Sequence, residues 1–393
     1  MKIAFISSEI WSDYNPEGIV ARKILNGFLQ EGHEVDVFTV KPFEYDRIIV
    51  FSNKIPEIFD KVIKNIIGLE KLPFVYKVYN YIKRNHAEYD LIITRSEPIS
   101  LHLINIYLKT SAKKVAMFSD VGYLNPYYGK IHFVKKTISY LLEKKLSYRC
   151  DLITHTNQYV IEEYIKRGFS SKVFYDFPNP LEKSVLELKN RGGREKINLA
   201  YTGSLYGNRN PNKLFEYLQS QKKDNFTLYL IGAVRNMYYE NGRLGKIGEQ
   251  LKNKELASLE RTIGDFGLSE KVRVLPFMKK RELNDFITKN IDILINIDAC
   301  AETNLFLSSK VVDYLQYNLP ILNVSTKGAS VSFLKKVGIY DYLDYNNTFS
   351  FSIEDIAFSE RFRPNKTLID QFLVINIVKR LLNRINLLHS NKT

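Results

Sequence analysis

The chain has 393 residues, of which 45% are hydrophobic and 25% are charged, and its formal net charge is +14. This is the composition of an ordinary globular protein, and the length suits two domains that each bury a core. The positive charge favours a negatively charged partner such as a phosphorylated substrate or an anionic lipid surface. No zinc-finger, helix-turn-helix or RNP-like pattern accompanies the charge, so we expect no nucleic acid partner.

The cysteines and the N-terminus indicate the compartment. Only Cys150 and Cys300 are present, far apart in the sequence, which fits a reducing compartment and argues against a disulfide framework or a zinc site. The apolar run at the N-terminus is too short for a signal peptide, and no run approaches the roughly 18 apolar residues of a transmembrane helix. We expect a cytoplasmic protein, at most peripheral on the inner face of the cell membrane.

Short apolar strands alternate with longer helical patterns along the chain, and they fall into two series. The first series of predicted strands covers 3–6, 35–40, 91–94, 115–118, 152–155 and 173–175. The second covers 199–202, 228–231, 272–275, 293–297 and 321–324. Continuous apolar strands separated by helices indicate parallel sheets covered on both faces. The fold class is therefore α/β, with two Rossmann-like domains and a ligand in the cleft at the carboxyl ends of the strands.

The domain boundaries follow from the charged and glycine-containing stretch between the two series. We predict a first domain at 1–180, a linker at 181–196 and a second domain at 197–366. The tail at 367–393 contains one long amphipathic helix from 367 to 388, which could pack back across the first domain.

Two predicted helices of the first domain thread basic residues among apolar ones. One is 71–84, and the other is 135–149, with Ile138, Leu141, Leu142 and Leu146 on one stripe. Such helices can lie in a membrane interface, where each basic residue near an anionic leaflet adds about 1 kcal/mol. The alternative is a surface helix with a solvated basic face.

Several familiar sites are excluded or weak. No Gly-x-Gly-x-x-Gly follows the first strand, so a dinucleotide cofactor is not expected. The stretch 242–248 contains three glycines but does not end in Gly-Lys-Ser/Thr, so a solvated helix or loop is the simpler interpretation. No histidine pair has the spacing of metal ligands, and no nucleophile elbow is present. We expect neither a metal nor a cofactor.

The segment 308–322 carries the clearest chemical pattern of the sequence. It predicts a loop, a short helix with Lys310 and Asp313 three residues apart, and then a turn into a buried strand. Val311, Val312 and Leu315 can face a core. An ammonium and a helix N-terminus suit a diphosphate, and a carboxylate suits ribose hydroxyls. The alternative is an ordinary helix between two loops.

Five motifs, in order, make the chain resemble the family 4 glycosyltransferases. The segment 15–19 leads into a helix that ends in 30–37, Gln-Glu-Gly-His-Glu-Val-Asp-Val, similar to the family's glycine loop and "GHEV". The segment 118–126 is similar to the "DxRDPW" segment, and Phe-Pro-Asn-Pro-Leu at 177–181 is similar to the turn that closes the first domain. The segment 201–211 resembles the loop that opens the donor-binding domain, and 308–322 resembles "PSKLFEYLAxGKPIL".

This resemblance implies the GT-B fold, two Rossmann-like domains facing across a cleft, and retaining transfer of a sugar from a nucleotide-diphosphate donor. It implies that Gly18 and Gly203 let the donor approach the backbone closely, and that Arg209 and Lys310 hold the diphosphate as it leaves. Ser309 would bind the donor, Asp313 would accept from the ribose hydroxyls, and Asp120 would contact the acceptor or the donor sugar. The structural alternatives are a plain turn glycine at 18 and a surface arginine at 209.

The sequence departs from the family pattern in the sugar pocket. Many members carry a glutamate eight residues before the position of Asp313, where this chain has Leu305, and the nearest carboxylate is Glu302. Asp313 itself replaces a glutamate, and Val121-Gly122 replaces the proline and tryptophan near Asp120. The donor sugar therefore cannot be carried over from the family.

Three functions remain open after these comparisons of motifs. The first is a hexosyltransferase-type enzyme of polysaccharide biosynthesis that extends a lipid-linked cell-surface glycan such as a capsule, an O-antigen or lipopolysaccharide. The second is a catalytically silent sugar-nucleotide-binding or scaffold protein of the same pathway, favoured by Leu305. The third is a nucleotide-sugar epimerase on the same fold.

Overall fold

The computed structural model describes residues 1–12, 15–53, 59, 63, 66–125, 132–182, 196–205, 207–223, 225–234, 246–348 and 350–390. The chain divides into two compact units. The first unit is Met1–Glu182 together with Gln371–Thr393, and the second is Lys183–Asp370. Most of the predicted linker, 183–195, most of the glycine stretch, 242–245, and Pro126 of the segment 118–126 lie outside the described residues.

The first unit contains a parallel sheet of seven strands in the order β3-β2-β1-β4-β5-β6-β7. Residues 3–6 and 91–93 in the middle of this sheet are apolar and fully buried, which is why their strands occupy the centre of a sheet covered on both faces. The strands are β1 Lys2–Ile6, β2 Glu34–Thr39, β3 Ile48–Val50, β4 Leu91–Arg95, β5 Lys113–Met117, β6 Leu152–His155 and β7 Phe174–Asp176. Ile3 pairs with Val35 on one side and with Leu91 on the other, so the strand order reverses between β1 and β4. That reversal opens a crevice at the carboxyl ends of these two strands.

The helices of the first unit connect these strands or follow them. They are α1 Pro16–Gln30, α2 Leu72–Asn85, α3 Leu103–Tyr107, α4 Phe133–Ser147, α5 Gln158–Lys166 and, from the C-terminal end of the chain, α13 Val374–Ser390. α1 begins where the Asn15 side chain accepts a hydrogen bond from the Glu17 backbone, with Pro16 in the first turn. This cap places Glu17 at the crevice.

The second unit contains a parallel sheet of six strands in the order β10-β9-β8-β11-β12-β13. The strands are β8 Ile197–Thr202, β9 Phe226–Ile231, β10 Val272–Leu275, β11 Ile293–Ile297, β12 Ile321–Ser325 and β13 Leu343–Asp344. Its helices are α6 Asn212–Gln219, α7 Lys246–Asp265, α8 Lys280–Asn290, α9 Ser309–Tyr314, α10 Ala329–Lys335, α11 Ile353–Phe358 and α12 Lys366–Ile369. The strand order reverses between β8 and β11, which gives this unit a crevice of its own.

The apolar face of α2 belongs to the core of the first unit. Phe74, Val75, Val78 and Ile82 are buried against β1, β2 and β4. The apolar stripe of α2 is therefore covered by the core, and Lys83 and Arg84 are exposed at the end of the helix. α4 differs, because within the predicted stripe Leu146 is buried while Leu141 is 59% exposed.

The C-terminal segment is not the single helix predicted for 367–388. α12 ends at Ile369, a short 3₁₀ turn spans Asp370–Phe372, and α13 begins at Val374. The interruption has a clear cause, because Leu373 pairs with Leu181 in a strand-like bridge. The Leu181 backbone N–H donates to the Phe372 carbonyl at 2.8 Å, and the Val374 N–H donates to the Leu181 carbonyl at 2.9 Å.

α13 packs against α1 within the first unit. A side chain at Gly27 of α1 would lie 2.7 Å from methyl carbons of both Val374 and Val378, so the glycine allows a close crossing of the two helices. Leu181, which the sequence placed at the start of the linker, lies in this first unit and holds the start of α13.

Candidate functional site

Lys310 reaches from α9 to the carboxyl end of β8 in the second unit. Its Nζ donates to the Thr202 carbonyl at 2.5 Å and to the Tyr201 hydroxyl at 3.2 Å, and it lies 4.3 Å from the centroid of the Tyr201 ring. Gly203 has φ +95°, and a Cβ there would lie 2.7 Å from Lys310 Nζ. The glycine therefore allows both the turn that follows β8 and the position of the ammonium group.

Burial and a neighbouring cation both disfavour the charged form of Lys310. Burial lowers the pKa of Lys310 well below its ordinary value, the Arg209 guanidinium lowers it further, and the Asp298 carboxylate acts in the opposite direction. Arg209 and Lys310 thus lie near enough to repel each other. A bound anion would relieve that repulsion and restore the charge on the lysine.

The loop that carries Arg209 is tied to two other strand ends of the second unit. The Asn208 carbonyl accepts a hydrogen bond from the Cys300 backbone at 2.9 Å, and the Asn210 carbonyl accepts from the Tyr345 hydroxyl at 3.2 Å. The same hydroxyl donates to the Asp298 carbonyl at 2.9 Å. The position of Arg209 is therefore fixed by residues that follow β11 and β13.

Asp298 is a buried carboxylate at the end of β11 that the sequence analysis missed. Its side chain accepts from Asn296 Nδ2 at 3.0 Å and from Ser325 Oγ at 2.9 Å, and the residue is 2% exposed. The signal for it was present, since a carboxylate directly follows the predicted strand 293–297. Its neighbours explain why a charge is tolerated there, because buried polar groups need hydrogen-bond partners.

Ser309 and Asp313 lie on α9 with Lys310, and Tyr314 anchors this helix. The Tyr314 hydroxyl contacts the Thr202 backbone N–H at 3.1 Å, the Thr202 side chain at 2.9 Å and the Ile295 carbonyl at 3.2 Å. Ser309 and Asp313 are half-buried, and the Asp313 charge contributes to the raised pKa of Tyr314 after burial. Val311, Val312 and Leu315 are fully buried, as the sequence pattern predicts.

Leu305 lies in a loop whose backbone is held by close contacts with the start of α10. The Asn304 carbonyl accepts from the Ala329 backbone at 2.7 Å, and a side chain at Gly328 would lie 2.1 Å from that carbonyl. Leu305, next to it, is half-buried, and Glu302 is exposed. The backbone is held in place here without any carboxylate at 305.

The first unit places a buried ion pair at its own crevice. Arg95 ends β4, and its guanidinium contacts Glu17 at the start of α1, with Nε–Oε1 at 2.7 Å and Nη2–Oε2 at 3.0 Å. Burial raises the pKa of Glu17 to about 7, although Arg95 and a hydrogen bond with Ser119 act in the opposite direction. Neither Glu17 nor Arg95 was among the candidate residues, since their partnership requires the fold.

Gly18 and Asp120 lie at the same end of this sheet. A side chain at Gly18 would meet the Glu9 carbonyl at 2.3 Å and the Ser12 carbonyl at 2.6 Å, so close packing of protein backbone is sufficient to require this glycine. Asp120 is exposed, two residues beyond Phe118, and its charge also raises the pKa of Glu17. The structure thus groups Gly203, Arg209, Ser309, Lys310 and Asp313 in the second unit, and Gly18 and Asp120 in the first.

The loop that follows Asp120 is fixed to α4 by a buried carboxylate. Glu143 accepts from the Tyr123 backbone N–H at 2.8 Å and from Ser139 Oγ at 2.7 Å, and it is bonded to the Tyr164 hydroxyl. A side chain at Gly122 would lie 2.5 Å from Glu143 Oε1. Burial raises the pKa of Glu143 to about 7.

Within the described part of the chain, no group of three His, Cys, Asp or Glu side chains is arranged to hold a metal ion. No helix formed by the described residues is long and apolar enough to cross a bilayer.

Comparison with known proteins identifies the fold. No protein-family model matches the sequence, and the search of curated proteins returned no significant match. Solved structures do match. Sucrose-phosphate synthase from Thermosynechococcus elongatus is similar over 100% of both chains, with 13% identity and a TM-score of 0.69. Anabaena HepE in complex with UDP and glucose is similar over 98% of this chain and 99% of its own, with 15% identity and a TM-score of 0.65.

A third similar structure is the apo form of the lipopolysaccharide outer core galactosyltransferase WaaB, which matches over 98% of this chain and 99% of its own, with 13% identity and a TM-score of 0.61. At these identities the likeness concerns the fold alone. The chain therefore has the GT-B architecture of two Rossmann-like domains, each with a fully parallel sheet, and the fold class expected from the sequence is confirmed.

Proposed function

We propose that this protein is a retaining glycosyltransferase that uses a nucleotide-diphosphate sugar as its donor. The observation that supports this most is the position of Lys310 at the carboxyl end of β8, where the strand order reverses, beside Gly203 and within the electrostatic reach of Arg209. Two cations at the carboxyl ends of parallel strands suit a diphosphate. The similar HepE structure contains UDP and glucose, which supports the same ligand class.

Residues of the second unit would have separate roles in donor binding and catalysis. Arg209 and Lys310 would bind the diphosphate and stabilise the negative charge that develops on the leaving nucleotide. Asp313 would accept from ribose hydroxyls, Ser309 would contact the phosphates, and Gly203 would leave room for Lys310. Removing the Lys310 or Arg209 side chain should lower the rate by about two orders of magnitude.

In the first unit, Asp120 would contact the acceptor or the donor sugar, and Gly18 would shape the start of α1 beside it. The ion pair of Glu17 with Arg95 would hold α1 against β4, next to the Asp120 loop. We propose as acceptor a growing, lipid-linked cell-surface glycan, such as that of a capsule, an O-antigen or lipopolysaccharide. The name of the similar WaaB structure, a lipopolysaccharide galactosyltransferase, supports this class of acceptor.

The test begins with thermal unfolding in the presence of a panel of nucleotides and nucleotide sugars. We expect one diphosphate family to raise the unfolding temperature of the wild type, and we expect Arg209→Ala and Lys310→Ala to abolish the rise. Lys335→Ala, an exposed lysine of the same unit, is the matched control. Transfer is then measured with the stabilising donor and a membrane extract as the source of acceptor.

A second candidate is a silent sugar-nucleotide-binding protein, and Leu305 at the position of the family's glutamate favours it. Stabilisation by a donor without any transfer or donor turnover would support this candidate. Isomerisation of the donor alone, in the absence of acceptor, would instead indicate an epimerase. If no nucleotide or nucleotide sugar of the panel stabilises the protein and no transfer is detected, all three candidate functions are excluded.

A further inference from the structure

α4 exposes part of its apolar surface to solvent. Its fully buried residues are Ser139, Glu143, Leu146 and Ser147, three of which are polar. Three of its apolar side chains are largely exposed instead: Phe133 is 70% exposed, Val134 52% and Leu141 59%. A helix of a globular protein normally buries its apolar side chains, so this arrangement marks a surface that meets something apolar.

The exposed apolar residues form one stripe. Val134, Leu141 and Tyr148 are seven residues apart, which places them on the same face of the helix, and Phe133 lies beside the first of them. Tyr148, directly after the helix, is 73% exposed, and Tyr107 of α3 is 54% exposed. Lys145 lies 4.4 Å from the centroid of the Tyr107 ring, which joins α3 to the stripe.

The charges around the stripe have one sign. Lys136, Lys145 and Arg149 are exposed at its edges. Glu143 is the only acidic residue in the sequence of α4, and it is 2% exposed. The surface therefore combines aromatic and aliphatic side chains with positive charge, which is the chemistry of a helix that lies in the interface of an anionic bilayer.

We propose that the α4 surface, formed by Phe133, Val134, Leu141, Tyr148 and Tyr107 with the surrounding basic side chains, binds an anionic lipid surface. A second copy of the chain is a poorer occupant, because two such faces would bring like charges together on a protein of net charge +14. The inference rests on the proposed function in one respect, since a lipid-linked acceptor would be reached from that surface. Glu143 then connects the lipid-binding helix directly to the Asp120 loop.

The test is sedimentation of the full chain with vesicles of phosphatidylcholine alone or of phosphatidylcholine with phosphatidylglycerol. We expect binding to the anionic vesicles that weakens with added salt. The triple variant Phe133→Ser, Leu141→Ser, Tyr148→Ser should bind about tenfold or more weakly. The matched control, Phe358→Ser, Leu368→Ser, Tyr340→Ser, removes the same three residue types from exposed positions of the second unit and should bind as the wild type does.

A charge-reversal pair supplies a second measurement if the triple variant does not fold. Lys136→Glu with Lys145→Glu should weaken binding to anionic vesicles by about tenfold or more, whereas Lys254→Glu with Lys335→Glu, the same change in net charge on the second unit, should not. Circular dichroism and the melting temperature check folding in every sample.

Three outcomes would overturn the proposal: a wild type that does not bind anionic vesicles, equal losses in test and control variants, or a wild-type dimer that the triple variant converts to monomer. The effect of the nucleotide and nucleotide-sugar panel on the melting temperature is recorded on the same samples. Vesicle binding without an effect of any member of the panel would defeat the proposed function only, and a nucleotide effect without vesicle binding would defeat this inference only.

Discussion

At the scale of single residues, Lys310 and Gly203 show how one contact fixes a candidate site. The lysine occupies the space in which any side chain at 203 would lie, and its ammonium group makes its hydrogen bonds with the end of β8. A family motif can indicate that a glycine and a lysine belong to one site. The structure adds that the glycine is needed by the lysine as well as by the backbone turn.

We therefore predict that Gly203→Ala abolishes stabilisation by nucleotide diphosphates, because the new methyl group displaces Lys310. The positive φ adds a cost of about 1–2 kcal/mol in the free energy of unfolding. Gly267→Ala is the matched control, because Gly267 has φ +66° and open space around its Cβ position. Chemical denaturation of both variants should show similar losses of stability, with nucleotide binding lost only in Gly203→Ala. Retained binding in Gly203→Ala would contradict the site.

Nucleotide affinity should also depend on pH through Lys310. Burial lowers the pKa of this lysine in the free protein, and a bound diphosphate favours the protonated form, so the pKa is higher in the complex. Affinity should consequently fall as pH rises, by at most about tenfold per pH unit, above about pH 7.5 where the diphosphate is fully ionised. Isothermal titration of wild type and Lys310→Met measures this.

In that titration, Lys310→Met should bind more weakly and with a flat pH profile, whereas Lys335→Met, which alters an exposed lysine, should keep the slope of the wild type. An identical slope in Lys310→Met would show that another group titrates.

At the scale of elements, Glu143 joins α4, α5 and the loop after β5 through three hydrogen-bonding partners. The sequence placed this residue within a basic amphipathic helix and gave no reason to expect it inside the protein. Burial raises its pKa from 4.5 to about 7, so the folded state binds this proton more tightly than the unfolded chain does. The stability from Glu143 is fully present below about pH 4.5 and is lost as pH rises to about 7.

The free energy of unfolding should fall between about pH 5 and pH 8 in the wild type. We predict that Glu143→Gln makes this fall smaller, by at most about 3 kcal/mol. Glutamine keeps an acceptor for the Tyr123 N–H and cannot ionise. Urea denaturation at several pH values is the measurement, with Glu282→Gln, an exposed carboxylate on α8, as control. Part of the slope should remain because burial raises the pKa of Glu17 as well. An unchanged slope in Glu143→Gln would refute the assignment.

At the scale of the whole molecule, α13 returns the end of the chain to the first unit. Its contacts with α1 are apolar, and Val378 is fully buried among them. The second unit, in contrast, contains the residues proposed to bind the donor. A change in α13 should therefore act on one unit and leave nucleotide binding in the other intact.

We predict that Val378→Asp lowers the stability of the first unit by about 3–5 kcal/mol, because it buries an unpaired charge. Lys379→Asp, at the next and exposed position of the same helix, is the control and should have a small effect. Calorimetry should then show an earlier transition for the first unit in Val378→Asp, with the effect of the stabilising nucleotide retained on the other transition. Loss of that nucleotide effect in this variant would contradict the assignment of donor binding to the second unit.

The sequence by itself determined the alternation of apolar strands and helices, and from it the parallel sheets of both units. A strand that is buried on both faces is a continuous run of apolar residues in the sequence. All eleven predicted strands therefore match strands of the structure to within a few residues. The edge strands β3 and β13 were not predicted, and they are only three and two residues long. The motifs also indicated the segment around Lys310. Its residues are neighbours on one short helix, so their arrangement can be predicted without knowledge of the rest of the fold.

Only the tertiary structure decided which distant residues meet. Glu17 with Arg95, Asp298 with Ser325, and Glu143 with the Asp120 loop are separated along the chain, and their pairing depends on strand order and helix packing. It also decided that α2 buries its apolar stripe while α4 exposes one. Amphipathic spacing shows that a helix has two faces, but the direction of each face is set by what packs against it.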